Sequence, residues 1–198
     1  MRAHIPNPLM AALLLPAALA IATASAYADT IYVCWDGSGD YVTIQEGIDA
    51  ASDGDEVVVC DGVYTGPSNK NLDFHGKAIT VRSENGPDNC IIDCQAYGRG
   101  FYFHSKETGE AVVEGFTITH GSASSGGGMF IRDASPTVTN CTFRVNSAGD
   151  FGGGIYNDDA SNPTLIDCTF SGNSAYNGGG IYCWSSSPVQ NPSNAPLL

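Results

Sequence analysis

Positive charge is scarce in this chain: Lys and Arg number 8 against 21 Asp and Glu, and the formal net charge at pH 7 is −13. That balance argues against nucleic acid or an anionic membrane as partner, since both would repel the chain. It permits cation binding without requiring it. Also missing is an unbroken apolar run of the roughly 20 residues a bilayer span needs; the longest, Leu9 to Ile21, is interrupted by Pro16. No Cys-x-x-Cys or paired His accompanies the cysteines, which removes the usual zinc spacings. His75, His104 and His120 are dispersed, with no Ser or Cys in a nucleophile motif, so a triad is not expected. Within the repeats described next, no stretch carries apolar residues at helical spacing, which disfavours helical solenoids.

What is abundant is glycine in a fixed pattern. Gly-Gly-Gly begins at Gly126, Gly152 and Gly178, 26 residues apart, and each triplet runs into an apolar strand start: Met129-Phe130, Ile155-Tyr156, Ile181-Tyr182. Between triplets, Ser135-Pro136-Thr137-Val138-Thr139-Asn140-Cys141-Thr142-Phe143 returns as Asn162-Pro163-Thr164-Leu165-Ile166-Asp167-Cys168-Thr169-Phe170, and Phe-x-x-Asn recurs as Phe143 to Asn146 and Phe170 to Asn173. Each unit offers three short segments rich in Val, Ile, Thr, Phe and Tyr, separated by turn formers. Three strands and three corners per period describe one coil of a parallel β-helix, so the fold expected is an all-β solenoid of about five coils over residues 29–189. Equivalent side chains then stack one rung apart, about 4.8 Å: Val138 on Leu165, Phe143 on Phe170, Cys141 on Cys168 as a reduced inward ladder, and Asn146 on Asn173 as an amide ladder at a bend. A glycan contact is the second reading of the asparagines.

The first coil carries a different signal. Thr43-Ile44-Gln45-Glu46 has the capping-box form, with Ile44, Ile48 and Ala51 on one face and Gly54 placed to end the helix. A short amphipathic helix there would cover the open N-terminal rung. Cys34 and Cys60, 26 residues apart and each closing an apolar strand, stack within disulfide range, whereas Cys90 and Cys94 are too far apart in an extended segment to pair. Arg2 and His4 before the apolar run, with Ala26-Tyr27-Ala28 behind it, give residues 1–28 the form of a secretory signal peptide. Beyond Val189, residues 190–198 show no strand alternation, which reads as an irregular tail where the solenoid stops mid-coil.

Gly37-Ser38-Gly39-Asp40-Tyr41-Val42-Thr43-Ile44-Gln45-Glu46, Asp53-Gly54-Asp55-Glu56-Val57-Val58-Val59 and Gly62-Val63-Tyr64 resemble the first coil and cap of the pectin-lyase-like right-handed β-helix superfamily. The Phe-x-x-Asn and Gly-Gly-Gly-Ile elements are similar to the repeats of polymorphic outer membrane proteins and other bacterial surface β-helix proteins. The resemblance spans about Ile31 to Ser187 and implies a right-handed coil. It is specific for fold and says little of activity. The Gln-Asp-Thr and Asp-Phe-Ile-Phe-Gly strings of pectin methylesterases are absent. Asn157-Asp158-Asp159 contains the diaspartate element of polygalacturonases, but at a repeat corner where Asp and Asn serve turn geometry; Asp158 and Asp159 are therefore catalytic candidates second to a turn role. Similarity to the calcium-binding pectate lyases directs attention to Asp133 and Asp159, expected to stack at one corner beside Arg132; the competing reading is a pair of solvated turn carboxylates. No cofactor other than such a calcium ion is implied. Among Tyr32, Trp35, Tyr102, Tyr156, Tyr176, Tyr182 and Trp184, rings facing outward could hold sugars by apolar contact, with Tyr156, Tyr182 and Trp184 the ligand-binding candidates. These features predict a secreted or cell-surface, non-catalytic module that binds polysaccharide or a surface protein. The alternative is a carbohydrate-active enzyme acting on acidic polysaccharide by lyase, hydrolase or esterase chemistry.

Overall fold

The structure is a computed structural model that describes residues 28–158, 160–184 and 188–190. Asp159, most of the leader-like segment and nearly all of the tail fall outside these residues. The chain winds as a parallel β-solenoid whose longest sheet, A, holds six strands: Thr30–Val33, Glu56–Val59, Thr80–Ser83, Val112–Glu114, Thr137–Thr139 and Thr164–Ile166. Sheet B adds Gly62–Tyr64, Cys90–Asp93, Thr117–Thr119, Thr142–Arg144 and Thr169–Ser171. Sheet C adds Phe101–Phe103, Met129–Ile131, Ile155–Asn157 and Ile181–Cys183. The solenoid thus makes about six turns, one more than the repeats announce, because the early coils share its geometry without the glycine triplets. Gln190 pairs with Thr164, so strand pairing reaches one residue into the segment expected to be irregular.

Register follows the repeats. Val138 pairs with Leu165, Phe143 with Phe170 and with Ile118, and the Phe143 and Phe170 rings stack at 5.1 Å. The interior is a column of such rows, with Phe74, Phe101, Phe103, Phe116, Ile118 and Phe143 fully buried. Cys90, Cys94, Cys141 and Cys168 are free thiols in that column. Burial pushes their ionisation upward, Cys94 to about 12 and Cys168 to about 11, so they act as small hydrophobes.

The corner between sheets B and C explains the Gly-Gly-Gly and the Phe-x-x-Asn together. Asn146 is fully buried; its Oδ1 accepts from the Gly121 amide at 2.8 Å, and its Nδ2 donates to the Ile118 carbonyl at 3.0 Å and to Asn173 Oδ1 at 3.1 Å. Asn173 donates in turn to the Phe143 carbonyl at 2.8 Å. Each asparagine side chain therefore fastens its own coil to the one before. The glycine triplets lie against this ladder: a Cβ on Gly127 would sit 2.4 Å from the Ser147 carbonyl oxygen, and Gly126 has φ +64°. No other residue fits that approach.

At the N-terminal end, the helix Ile44–Ala50 lays Ile44 and Ile48, both fully buried, on the first rungs. The Glu46 carboxylate accepts from the Thr43 amide at 3.2 Å and the Thr43 hydroxyl at 2.7 Å. Gly47, costly for a helix in isolation, is where the helix touches the sheet: an added Cβ would meet Val33 Cγ2 at 2.5 Å. The helix ends at Ala51 in extended conformation, and Gly54, expected to stop it, instead turns the chain into the second strand with φ +93°. Cys34 and Cys60 form a disulfide with Cα atoms 5.0 Å apart, and the Tyr64 hydroxyl donates to the carbonyls of Val33 and Cys60 beside it, each at 3.0 Å.

Two stability outcomes are expected. Asn146→Ala strands the buried Gly121 amide and the Ile118 carbonyl, so urea denaturation should show a loss of about 3 kcal/mol, while an unchanged midpoint would remove the ladder from the account. Replacing both Cys34 and Cys60 with Ala should cost about 3 kcal/mol by releasing the unfolded chain, and a non-reduced digest should yield the joined peptides.

Candidate functional site

Along sheet C, side chains alternate between interior and exterior, as a pleated strand requires. Phe101, Phe103, Met129, Ile131, Ile155 and Asn157 point inward and are fully buried. The residues between them point outward and stand in register: Tyr102 on Phe130, Phe130 on Tyr156, Tyr156 on Tyr182. The four rings form one row with centroid separations of 5.4, 5.1 and 5.9 Å. Phe151 lies beside it, 5.8 Å from Tyr156 and 4.6 Å from Tyr182, and Trp184 meets Phe151 edge-on at 6.2 Å.

The chain continues past each strand in the same register, shown by the amides of Arg132, Asp158 and Trp184 donating to the carbonyls of Phe103, Ile131 and Asn157. A second row therefore runs beside the rings: His104, Arg132, Asp158, Trp184. Arg132 Nε donates to Asp158 Oδ2 at 2.8 Å, and the Tyr156 hydroxyl donates to Asp158 Oδ1 at 3.0 Å. On the other side of the ring row, Arg99 occupies the position that is Gly127 in the next coil, as the Phe101–Met129 pairing fixes. Its guanidinium lies 5.0 Å from the Tyr102 ring and 4.9 Å from Phe130, and Arg132 lies 5.0 Å from Phe130 as well. In so acidic a chain, two arginines on one phenylalanine mark a local reversal of charge.

At the N-terminal end of the row, His104 stacks on Tyr102 at 4.2 Å and its Nε2 lies 2.9 Å from Asp73 Oδ2. His75 Nδ1 lies 3.3 Å from the same oxygen and His75 Nε2 3.5 Å from Asp49. Two of the histidines dispersed in sequence, His75 and His104, thus meet on one carboxylate, because the irregular turns of the early coils bring residues 73–75 beside 104. His120 is apart, 3.2 Å from Asp93.

The expected site residues fare unevenly. Tyr182 and Trp184 remain accessible, Trp184 at 43% exposure, while Tyr156 is only 6% exposed and serves the row from beneath. Asn157, expected at a turn, ends a strand and faces the core; Asp158 begins the corner and is tied to Arg132. Asp133 is exposed with φ 49°, and its expected stacking partner Asp159 lies outside the described residues. Among the described residues, no three His, Cys, Asp or Glu side chains converge to hold a metal ion, and no helix is long and apolar enough to cross a membrane. Missed in the sequence were Arg99, Phe130, the pairing of Arg132 with Asp158 and the Asp73 cluster. The signal for the first was an arginine standing where later coils have glycine.

Burial and then the hydrogen bond to Asp158 push the Tyr156 phenol up to about 12. A group raised above its unfolded value, near 10 for tyrosine, stabilises the fold at every pH below about 10 and loses that contribution as the pH climbs through its folded value. Ultraviolet titration should show Tyr156→Phe removing one phenol from the late-ionising class, and Asp158→Ala advancing its ionisation. A Tyr156 phenol ionising with the exposed tyrosines would contradict this placement.

Against known proteins, the family described as right handed beta helix region matches residues 46–194. No curated protein matches the chain significantly. Among solved structures, a pectin methylesterase from carrot aligns over 83% of this chain and 83% of its own, at 14% identity and a TM-score of 0.34, values that carry no argument about activity. The family match, the parallel coils and their register lead to one assignment: the chain belongs to the right-handed β-helix family.

Proposed function

We propose that this protein is a secreted or cell-surface β-helix module that binds polysaccharide along the outer face of sheet C without turning it over. The observation that carries the reading is the outward row Tyr102, Phe130, Tyr156, Tyr182, extended by Phe151 and Trp184. Aromatic faces hold the apolar faces of sugar rings, and Tyr102, Phe151, Tyr182 and Trp184, the rings of this face that are not buried, offer spaced contacts to a repeating ligand. The charged row alongside supplies donors and acceptors for hydroxyl groups. Phe130 and Tyr156 stiffen the row, and the half-buried Tyr182 with exposed Trp184 presents it. Asp158 accepts from both Arg132 and Tyr156, which favours a structural anion over a free base. The leader-like segment 1–28 and the Cys34–Cys60 bridge support an oxidising, extracytoplasmic setting. Calcium at Asp133 and Asp159 belongs to this proposal only as a surface accessory.

One observation favours the enzymatic alternative: Asp73 orients His104 beside Tyr102, an acid-base pair at the end of the same row. Affinity electrophoresis through gels of neutral and acidic polysaccharides separates the two. Tyr182→Ala with Trp184→Ala should weaken retention about tenfold, the loss of two stacking contacts, with the circular dichroism spectrum unchanged. Retention indifferent to both substitutions would defeat the binding reading, and turnover abolished by His104→Ala or Asp158→Asn would replace it with the enzymatic one.

A further inference from the structure

Trp35 stands apart from the rings of sheet C. It follows Cys34 at the corner between sheets A and B, where the register that pairs Val33 with Val59 and Val59 with Ser83 carries on through Cys34, Cys60 and Glu84. One step further round the corner, successive coils present Trp35, Asp61 and Asn85. The indole Nε1 donates to the Asp61 carbonyl at 3.1 Å, and Asn85 Nδ2 donates to both oxygens of the Asp61 carboxylate at 3.2 Å. Gly62 makes room for the ring, since a Cβ there would stand 2.5 Å from Trp35 Cδ1 and Nε1. The polar edge of the indole is thus seated on backbone while 62% of the residue faces solvent. Asp36, Asp61, Glu84 and Asn85 are exposed at the same corner, and Asp36 Oδ1 accepts from the Ser38 amide and hydroxyl at 3.0 and 2.7 Å. Among the described residues, no Lys, Arg or His forms an ion pair with Asp36 or Asp61, and Arg82, two residues before Glu84, is taken up by Glu56.

We infer that this corner is a second sugar site, away from the ring row of sheet C, for a pyranose that carries no anionic group. The indole offers apolar surface to one face of the sugar. A carboxylate has about four lone-pair positions, so Asp61, engaged by one Asn85 amide group, keeps acceptors for the hydroxyls of a ring lying on Trp35. The Asn85 amide stands beside it as a further polar partner. Trp35 is pinned by the Asp61 backbone and Asp61 by Asn85, so the sugar meets a platform whose rotamers are fixed in advance and little side-chain freedom is lost on binding. The exposed carboxylates of Asp36, Asp61 and Glu84 repel a uronic acid or a sulfate ester at contact distance and attract the ammonium of an amino sugar. Either sugar site can exist without the other.

The chain has two tryptophans, Trp35 and Trp184, so its two indole Nε1–Hε1 resonances read both places in one titration of the full chain. The Trp35 resonance, assigned by its loss in Trp35→Phe, is followed while glucose, galactose, mannose, glucosamine or galacturonic acid is added. A saturable shift with a neutral hexose or with glucosamine, and none with galacturonic acid, is expected. No shift at Trp35 with any of the non-acidic sugars overturns the site, and galacturonic acid binding as well as the best of them overturns its selection by charge. The indole bonds the Asp61 carbonyl rather than its side chain, so Asp61→Ala leaves the ring in place and should weaken saturation about tenfold, the loss of a charged acceptor. Unchanged saturation in Asp61→Ala removes the carboxylate from the site. If the ring serves only to cover the Cys34–Cys60 bridge, Trp35→Ala lowers the melting temperature and speeds reduction while sugars leave the parent's Trp35 resonance unmoved, which overturns the site. A shift at Trp184 with none at Trp35 also overturns it and leaves the face of sheet C standing; a shift at Trp35 alone does the reverse.

Discussion

Every part of this molecule answers to one constraint: a residue must be compatible with its equivalent a single rung away. Parallel pairing at a fixed separation stacks like on like, and a row made of one residue type either satisfies itself or fails along its whole length. The asparagine corner shows the satisfied case. Asn146 bonds forward to Asn173 and backward to Gly121 and Ile118, so a buried amide that would be a liability alone becomes a fastener between coils. The glycine triplets follow from the same corner, since the ladder draws the backbones too close for any Cβ.

Inward rows are held by volume and outward rows are not. Replacing Phe143 by a smaller residue would open a cavity beneath Phe170, whereas His104, Arg132, Asp158 and Trp184 differ from coil to coil at one outward position without disturbing pairing. Chemical variety is thus carried by outward positions, those of sheet C and its corner among them. Arg99 belongs to the same class: it replaces a glycine at the N-terminal edge of the triplet pattern, where the crowding that forbids a side chain at Gly127 has not yet begun.

The sequence revealed the fold because identical residues recur at identical spacing, and only stacking demands that. The pairing of Phe143 with Phe170 and the proximity of Cys34 to Cys60 were legible for this reason, as was the capping helix from Thr43 and Glu46. The full number of coils was not, since residues 62–125 turn with varied loops and lack the glycine signature. The outer face was legible only in part. Tyr182 and Trp184 stood out as aromatics, but Phe130 was visible only as part of an apolar strand start beside Met129, with nothing in the repeat to say which face it takes. The meeting of His75 and His104 on Asp73 depends on the path of irregular turns, which no repeat encodes.

Charge gives the outer face its direction. A strongly acidic solenoid repels polyanions over distances of about a Debye length, roughly 8 Å at physiological salt. Arg99 and Arg132 form a local exception within contact of one ring, and Asp158 neutralises only the second.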